Sequence, residues 1–589
     1  MASNVPAILT SRLSKLNPFG KAKGDDDNLG ETIDPASNFG GGNTTQPGSL
    51  TRRQLRVSQA LQSFLVAQRV ITEQDLSVDR NQSSTALQEL LDKPHVEVPP
   101  QTTDRSFPLP DYYISSSHNT YLLAHQLYGG SSASAYETAL KTGARCVEID
   151  AWNNENDPDE PKVTHGYTRV SNISFRSVCE TIRDVVDHEA AQTLEFKRPA
   201  PVLISLENHC NARGQLRLAQ IMQEVWQDRL LSEAVRQQGA REQHDGGEHV
   251  TLSQLGSKIA VIVEYHLEGA SSESSSSDES DDDAARSDRR AYQQKKKDAA
   301  SAVDARIIIP ELARLGVYAQ SVKPIDESWL QGDLTHPHHH LVNISESGLM
   351  SHIPGSPEKI ARHNSQHLMR VFPKGTRISS RNLNPSIYWG VGAQICALNW
   401  QTFDASMQLN EALFAGSDGF VLKPAALRIG GSGRLSTGRQ KRLRLHVAGA
   451  TDIPVPDGYE ASEMRPYLTC TLIHPANASG DPPKRKTSAY KTKDRHLNLN
   501  PMHRHSSSPP TDPLWDEVLE WEYEENELVF LRLIIKSDDK YAANPMFAVA
   551  ALRPSIAAKG WSFIRMLDLK GRETNATVLV RFESTHASV

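Results

Sequence analysis

Long hydrophobic runs are missing from this sequence. No stretch approaches the roughly 18 apolar residues of a membrane-spanning helix, so nothing in it is read as crossing a bilayer. Near the start, Arg12 and Lys15 interrupt Ile8, Leu9, Leu13, Leu16 and Phe19, which breaks the apolar core of a signal peptide. Residue 2 is Ala, so the glycine that N-myristoylation requires is lacking. Cysteine is scarce: residues 146, 179, 210, 396 and 470, with no CxxC pair. A sparse, odd set excludes a disulfide framework and fits reduced thiols in the cytoplasm. Charge of one sign is lacking too. A net −7 over 589 residues leaves no basic field for nucleic acid. There is no Asp-x-Asp-x-Asp-Gly calcium loop, and Gly430–Gly438 lacks the Gly-Lys-Ser/Thr of a phosphate-cradling loop.

What is present divides the chain. At roughly 100–200 residues per domain, its length predicts three or four units. Residues 1–50 are rich in Gly, Asn and Pro and read as a disordered tail. Residues 51–100 carry Leu55, Leu61, Phe64, Leu65, Leu87, Leu90 and Leu91 at helical spacing. From 105 to 268, apolar runs ending in polar residues (Asp111–Ser117, Arg145–Trp152, Lys162–Thr168, Val202–Asn208, Lys258–Tyr265) alternate with helical periodicity over Phe175–His188 and Leu216–Val235. That alternation predicts a parallel sheet covered by helices. Ser271–Asp283 contains only serine and acidic residues. Residues 269–303 therefore read as a disordered linker, or as an acidic plug over a basic or metal-bearing mouth. Strand-like runs resume over 304–427 (Val317–Val322, His340–Ser345, Met369–Phe372, Ile395–Trp400, Gly419–Lys423), so the linker interrupts one domain. Residues 428–440 form a hinge. Short alternating strands over 441–586 predict an all-β sandwich. His336-Pro337-His338-His339-His340 reads as a surface loop rather than a zinc site, because no cysteine motif accompanies it.

Strand alternation carries the chemistry. Residues two apart share a face, so Cys146, Glu148 and Asp150 point one way. Unpaired buried carboxylates are costly, and a cation resolves the cost. Glu207 and Asn119 end two other strand-like runs. These four residues offer only oxygen donors, which favour Ca²⁺ or Mg²⁺ over zinc. In a barrel of parallel strands, the C-terminal strand ends converge on one mouth. His118 and His165 belong at that mouth, one able to donate a proton, the other to bond a charged phosphate oxygen. Any one of the six alone is ordinarily a structural group; together they describe metal-assisted phosphoryl transfer.

Ser-Ser-Ser-His-Asn-Thr-Tyr (115–121), Glu-Ile-Asp (148–150), His-Gly-Tyr-Thr (165–168) and Ser-Leu-Glu-Asn-His-Cys (205–210) resemble the first catalytic half of eukaryotic phosphoinositide-specific phospholipase C. Arg362-His363-Asn364, Arg370–Pro373, Gln394–Thr402 and Gly419–Pro424 resemble the second half, and Pro513-x-Trp515-Asp516-Glu517 its C2 domain. The resemblance covers residues 51–586 and is to the delta-like form, here without a pleckstrin-homology domain ahead of residue 51. It implies an EF-hand-like helical region, a TIM-like α/β barrel split by the acidic linker, and a C2-type all-β sandwich. It implies one Ca²⁺ held by Asn119, Glu148, Asp150 and Glu207. Glu148 would act as general base on the inositol 2-hydroxyl, His118 would stabilise phosphoryl charge, and His165 would protonate the departing diacylglycerol oxygen. Hydrolysis of phosphatidylinositol or its phosphates would run through a cyclic phosphodiester. The partner would be a phosphoinositide lipid in a membrane surface, met by a cytoplasmic protein recruited there as a peripheral enzyme of signalling and lipid breakdown.

Departures from the family matter as much. Ile262 and Glu264 fall where two lysines hold the inositol ring phosphates. Asn343 falls at a phosphate-binding serine, with Ser345 nearby. Arg370 is retained, and Phe372 replaces the tyrosine that packs on the ring. Charge-assisted contacts contribute about 1.5–3 kcal/mol each, so a reduced preference for the 4,5-bisphosphate is expected. Leu127, Tyr167 and Met350 fall on the family's membrane-dipping ridge, while Arg169 and Thr376 replace apolar positions there. In the sandwich, Arg465 replaces an aspartate and only Asp538 and Asp539 remain of the spaced acids, so it is expected to brace rather than bind calcium. The rival readings are a catalytically silent scaffold and a glycerophosphodiesterase. Intact site positions disfavour the first; the second-half motifs and the sandwich disfavour the other.

Overall fold

The computed structural model describes residues 27–28, 31, 55–76, 84–123, 128–166, 169–192, 200–235, 249–264, 308–322, 329–330, 340–374, 381–456, 458–476, 481–491, 508–538 and 544–586. Eight parallel strands form a closed barrel: β1 Tyr112–Ser117, β2 Cys146–Trp152, β3 Val202–His209, β4 Ile259–Glu264, β5 Gln320–Val322, β6 His340–Ser345, β7 Leu368–Phe372 and β8 Ile395–Leu398. Neighbours follow chain order, β8 pairs with β1, and β1 pairs with β2 at Ser116–Cys146 to close the ring. Phe420–Leu422 adds an antiparallel strand on β1.

The inward face is apolar low in the barrel. Tyr112, Ile114, Cys146, Leu203, Ala260, Ile262, Leu341, Leu368 and Ile395 form one buried cluster. The outward-facing residues Val147, Ile149, Ile204, Val261, Val263 and Met369 pack under the helices in another. Alternation sends every second side chain to each cluster. Above Cys146 and Leu203, the inward positions turn polar at Glu148, Asp150, Ser205 and Glu207, so the barrel's C-terminal end is wet and charged. The helix Phe175–Ala191 is capped by Ser174 and buries Phe175, Val178, Cys179, Ile182, Val185 and Val186 on one stripe. The next helix stops at Trp226 rather than running on to Val235, because Gln227 takes φ +42° and turns the chain out.

A second, eight-stranded antiparallel sheet spans Gln440–His586. Beyond the strands legible in the sequence it contains Lys484–Lys486, Met546–Leu552 and Gly560–Leu567. On β9 Gln440–Thr451, Leu443, Leu445 and Val447 face its core and Arg444 faces Glu520. Phe530, Ile534 and Val549 instead join the main barrel cluster, so barrel and sandwich share buried apolar surface. α1 Gln59–Ala67 and α2 Thr85–Asp92, each capped by a serine, lay Leu61, Phe64, Leu65 and Leu87 against Ala448, Trp561, Phe563 and Leu579 of the sandwich. Each such side chain contributes about 1.5–3 kcal/mol on full burial.

The 269–303 linker, His336–His339, Leu127, Tyr167, Thr376 and Asp539 lie outside the described residues. The stretch 1–50, read as a disordered tail, differs from that expectation at Asp27, Asn28 and Glu31, which are placed against the barrel and the sandwich. Two buried cations and two backbone amides hold them, contacts that composition does not reveal. Among the described residues no helix is long and apolar enough to cross a membrane.

Candidate active site

Register brings the carboxylates together. In the β2–β3 ladder, Glu148 pairs with Ser205 and Asp150 with Glu207, and partners in register share a face. Glu148, Asp150 and Glu207 each offer a ligand oxygen, all within 4.8 Å of one another. Glu148 and Asp150 are 2 % and 4 % exposed. Burial first, then Glu207 and Glu148, push the Asp150 carboxyl well above the usual carboxylate range. Its Oδ2 accepts from Tyr121 Oη at 2.6 Å, while its buried Oδ1 has no hydrogen-bond partner among the described residues.

Asn119 adopts φ +45° just past β1, a left-handed turn that Asn tolerates better than most residues. The turn aims its backbone N–H at Glu148 Oε2, 2.7 Å away, and its side-chain Oδ1 accepts from Tyr121 Oη at 3.2 Å. An oxygen-only set with an orphaned buried carboxylate oxygen fits a hard divalent cation. Calcium would be held by Asp150, Glu148, Glu207 and Asn119.

His118 leaves the end of β1 with its Nδ1 2.8 Å from Asn399 Oδ1, and its Nε2 lies 3.9 Å from Glu148 Oε2. His165 follows Thr164, whose amide donates to the Asp150 carbonyl at 3.3 Å, so it emerges beside β2 at the same mouth. Gly166 presses on Trp152: a Cβ there would come within 1.9 Å of the indole. Trp152 in turn stacks on His209, whose Nε2 lies 3.2 Å from Glu207 Oε1.

The substrate set divides. Asn343 and Arg370 are register partners on β6 and β7. Arg370, 3 % exposed, donates Nη2 to Glu148 Oε1 at 2.5 Å and Nη1 to Asn343 Oδ1 at 3.2 Å. It therefore supplies the cation beside the three carboxylates, a role that reading it as a phosphate ligand did not include. Phe372 lies with its ring centroid 5.8 Å from the Arg370 guanidinium carbon. Ser345, at the end of β6, accepts from Gly348 N at 3.1 Å as the cap of helix Glu346–His352. Ile262 is buried in the barrel in register with Ser205, and Glu264 ends the same strand on the same face. Of the ridge residues, only Met350 is described, and it packs partly against the main core.

Residues without an assigned role in the sequence complete the site. Thr120 Oγ1 accepts from Glu148 N at 3.0 Å, and Tyr136 Oη donates to the Glu148 carbonyl at 2.8 Å. Tyr121, Thr120 and Asn399 sit inside recognised stretches, but their partners lie on other strands.

A closed parallel barrel thus gathers carboxylates and an imidazole at its C-terminal mouth. Residues 105–265 match phosphatidylinositol-specific phospholipase C, X domain, and residues 312–426 match its Y domain. The chain is 33 % identical over 481 residues to mouse 1-phosphatidylinositol 4,5-bisphosphate phosphodiesterase delta-3, covering 80 % of this chain and 55 % of that protein. To the Candida albicans 1-phosphatidylinositol 4,5-bisphosphate phosphodiesterase 1 it is 28 % identical, over 82 % of this chain and 48 % of that one. The L. pealei PLC21 crystal structure superposes with a TM-score of 0.67 at 22 % identity, covering 90 % of this chain and 62 % of that one. The chain belongs to the eukaryotic phosphoinositide-specific phospholipase C family and is delta-like within it. It spans about half the length of the curated relatives it matches.

Proposed function

We propose that this chain is a calcium-dependent phospholipase C that cleaves phosphatidylinositol or its phosphates at a membrane surface, releasing diacylglycerol and an inositol phosphate. The observation that carries the reading is the Glu148–Asp150–Glu207 cluster with its orphaned Asp150 oxygen, set beside His118. Calcium there would make the inositol 2-hydroxyl more acidic and offset phosphoryl charge. Glu148 takes the 2-hydroxyl proton, and that oxygen attacks phosphorus in line. His118, held by Asn399, faces the phosphoryl oxygens as charge collects on them. His165 gives a proton to the diacylglycerol oxygen as its bond to phosphorus breaks. Water then opens the cyclic phosphodiester with the acid and base roles exchanged.

The same reading makes this a peripheral protein that meets its lipid from the cytoplasmic side. A buried apolar Ile262 and an acidic Glu264 at the ring-phosphate positions support a reduced preference for the 4,5-bisphosphate. The sandwich reads as a brace, because it shares buried surface with the barrel. The test is hydrolysis of labelled phosphatidylinositol and its phosphates, with calcium or chelator, by wild type and His165→Ala. Calcium-dependent turnover lost in the variant is expected; a variant as active as wild type would remove the proposed acid.

A further inference from the structure

Asp27 lies far from the barrel in sequence, yet it is 7 % exposed. Its carboxylate takes Lys484 Nζ and Lys536 Nζ, each at 2.6 Å. Arg532 Nη2 donates to its carbonyl at 2.5 Å, and Arg532 Nη1 lies 3.4 Å from Asn28 Oδ1. Arg532 and Lys536 are each 2 % exposed and stand on one face of the sandwich strand Phe530–Ser537, where it meets the barrel helix Ala405–Phe414. Arg532 Nε also reaches Gln408 Oε1 of that helix at 2.5 Å. Burial opposes ionisation of Asp27, but hydrogen bonds from Lys484 and Lys536 outweigh it and hold the carboxyl below its usual range. A buried cation without an anion is strongly unfavourable, so this seam is built around an acidic residue.

The docked residues also reach the loop after β8. Ala405 N donates to Asn28 O at 3.5 Å, and Phe403 N donates to Glu31 O at 3.3 Å. Between them, Asp404 accepts from Asn382 N at 3.0 Å and Asn382 Nδ2 at 3.1 Å. Asn382 grips Asn399 twice: Nδ2 donates to its carbonyl at 3.2 Å, and Oδ1 accepts its amide at 2.5 Å. Asn399 holds His118. Hydrogen bonds, linked by the short covalent stretch 403–405 and by Asn399 itself, thus join the sandwich seam to the mouth of the barrel.

From this we infer that the segment carrying Asp27, Asn28 and Glu31 is a working part of the catalytic unit: it docks by its carboxylate in the Lys484–Lys536–Arg532 socket and, through residues 399–405, positions His118. The second half rests on the phospholipase reading, in which His118 acts on the phosphoryl group. Asp27 is a positioning residue, since it touches no reacting atom. Small misplacements of a catalytic group lower turnover more than they lower binding.

The experiment uses the full chain with Asp27→Lys, and with the exchanged pair Asp27→Lys/Lys484→Asp, which restores the opposite charges at a half-exposed lysine. Amide hydrogen exchange at Phe403 and Ala405 is read alongside kcat and KM on phosphatidylinositol vesicles. Asp27→Lys is expected to speed exchange at those amides roughly tenfold. It should lower kcat about threefold or more with KM unchanged, leave exchange in Val202–His209 unaltered, and be partly rescued by the exchanged pair. Unchanged exchange at Phe403 and Ala405 would overturn the docking role. Faster exchange with unchanged kcat would overturn the positioning role. A wild type inert toward the lipid would instead overturn the enzymatic reading, while the exchange data still decide the docking.

Discussion

Asp150→Asn removes one of three carboxylates whose ligand oxygens lie within 4.8 Å of one another. At an effective dielectric of about 20, two full charges at that separation repel by about 3.5 kcal/mol. Asp150 faces two such neighbours. Glu148 is already tied to Arg370, which cancels much of its share. Glu207's side chain is 44 % exposed and lies beside His209, so solvent screens the other share. About 2 kcal/mol of net relief is left, and the Tyr121 hydrogen bond survives on the amide oxygen. For a unit of barrel size this corresponds to a rise of about 4–8 °C in unfolding midpoint in chelator. Calcium should act unequally on the two proteins. At about a hundredfold excess over its dissociation constant, it should stabilise wild type by about 2.7 kcal/mol and the variant far less. Thermal unfolding of both, in chelator and in calcium, reads all four midpoints. A variant that is less stable than wild type in chelator, or one that keeps the full calcium response, would refute the reasoning.

Arg370→Met leaves Glu148 buried without its cation; such losses cost about 3–5 kcal/mol. The destabilisation should be larger in chelator than in calcium, and equal losses under both conditions would contradict the shared role of the two cations. Ile262→Lys with Glu264→Lys should raise turnover of the 4,5-bisphosphate relative to phosphatidylinositol in matched vesicles; a strong bisphosphate preference already present in wild type would defeat that expectation. His363 is buried, with Nδ1 3.0 Å from Asn364 Oδ1, and its Nε2 has no partner among the described residues. Burial lowers its pKa from 6.5 to about 4, with Asn364 opposing the shift. The unfolded chain therefore takes up the proton first: this stability is complete above pH 6.5 and is lost as pH falls towards 4, by about 3 kcal/mol at most. Denaturant midpoints of His363→Phe against pH should be flatter than wild type across that window, and parallel curves would exclude the assignment.

Sequence alone determined most of the barrel strands and the side-chain types at their ends, though not three strands of the sandwich. Alternation at Cys146, Glu148 and Asp150 fixes a shared face wherever the strand lies, because the period is a property of the backbone. The long recognised stretches set the barrel halves and the sandwich for the same local reason. Only tertiary structure decided which groups meet. The β2–β3 register sets Asp150 against Glu207, and the β6–β7 register sets Asn343 against Arg370. The pairing of Arg370 with Glu148 spans 222 residues, and the contact of Asp27 with Lys536 spans 509. Neither separation leaves a periodic trace. That a helix begins at Ser345 and is capped by its hydroxyl is likewise visible only in the folded chain. Composition marked 1–50 as unable to build a core, and that stands apart from whether three of its residues can be held by a core built elsewhere. Local propensity is written along the chain; the compensation of buried charge is written across it, and only the closed barrel brings the partners into reach.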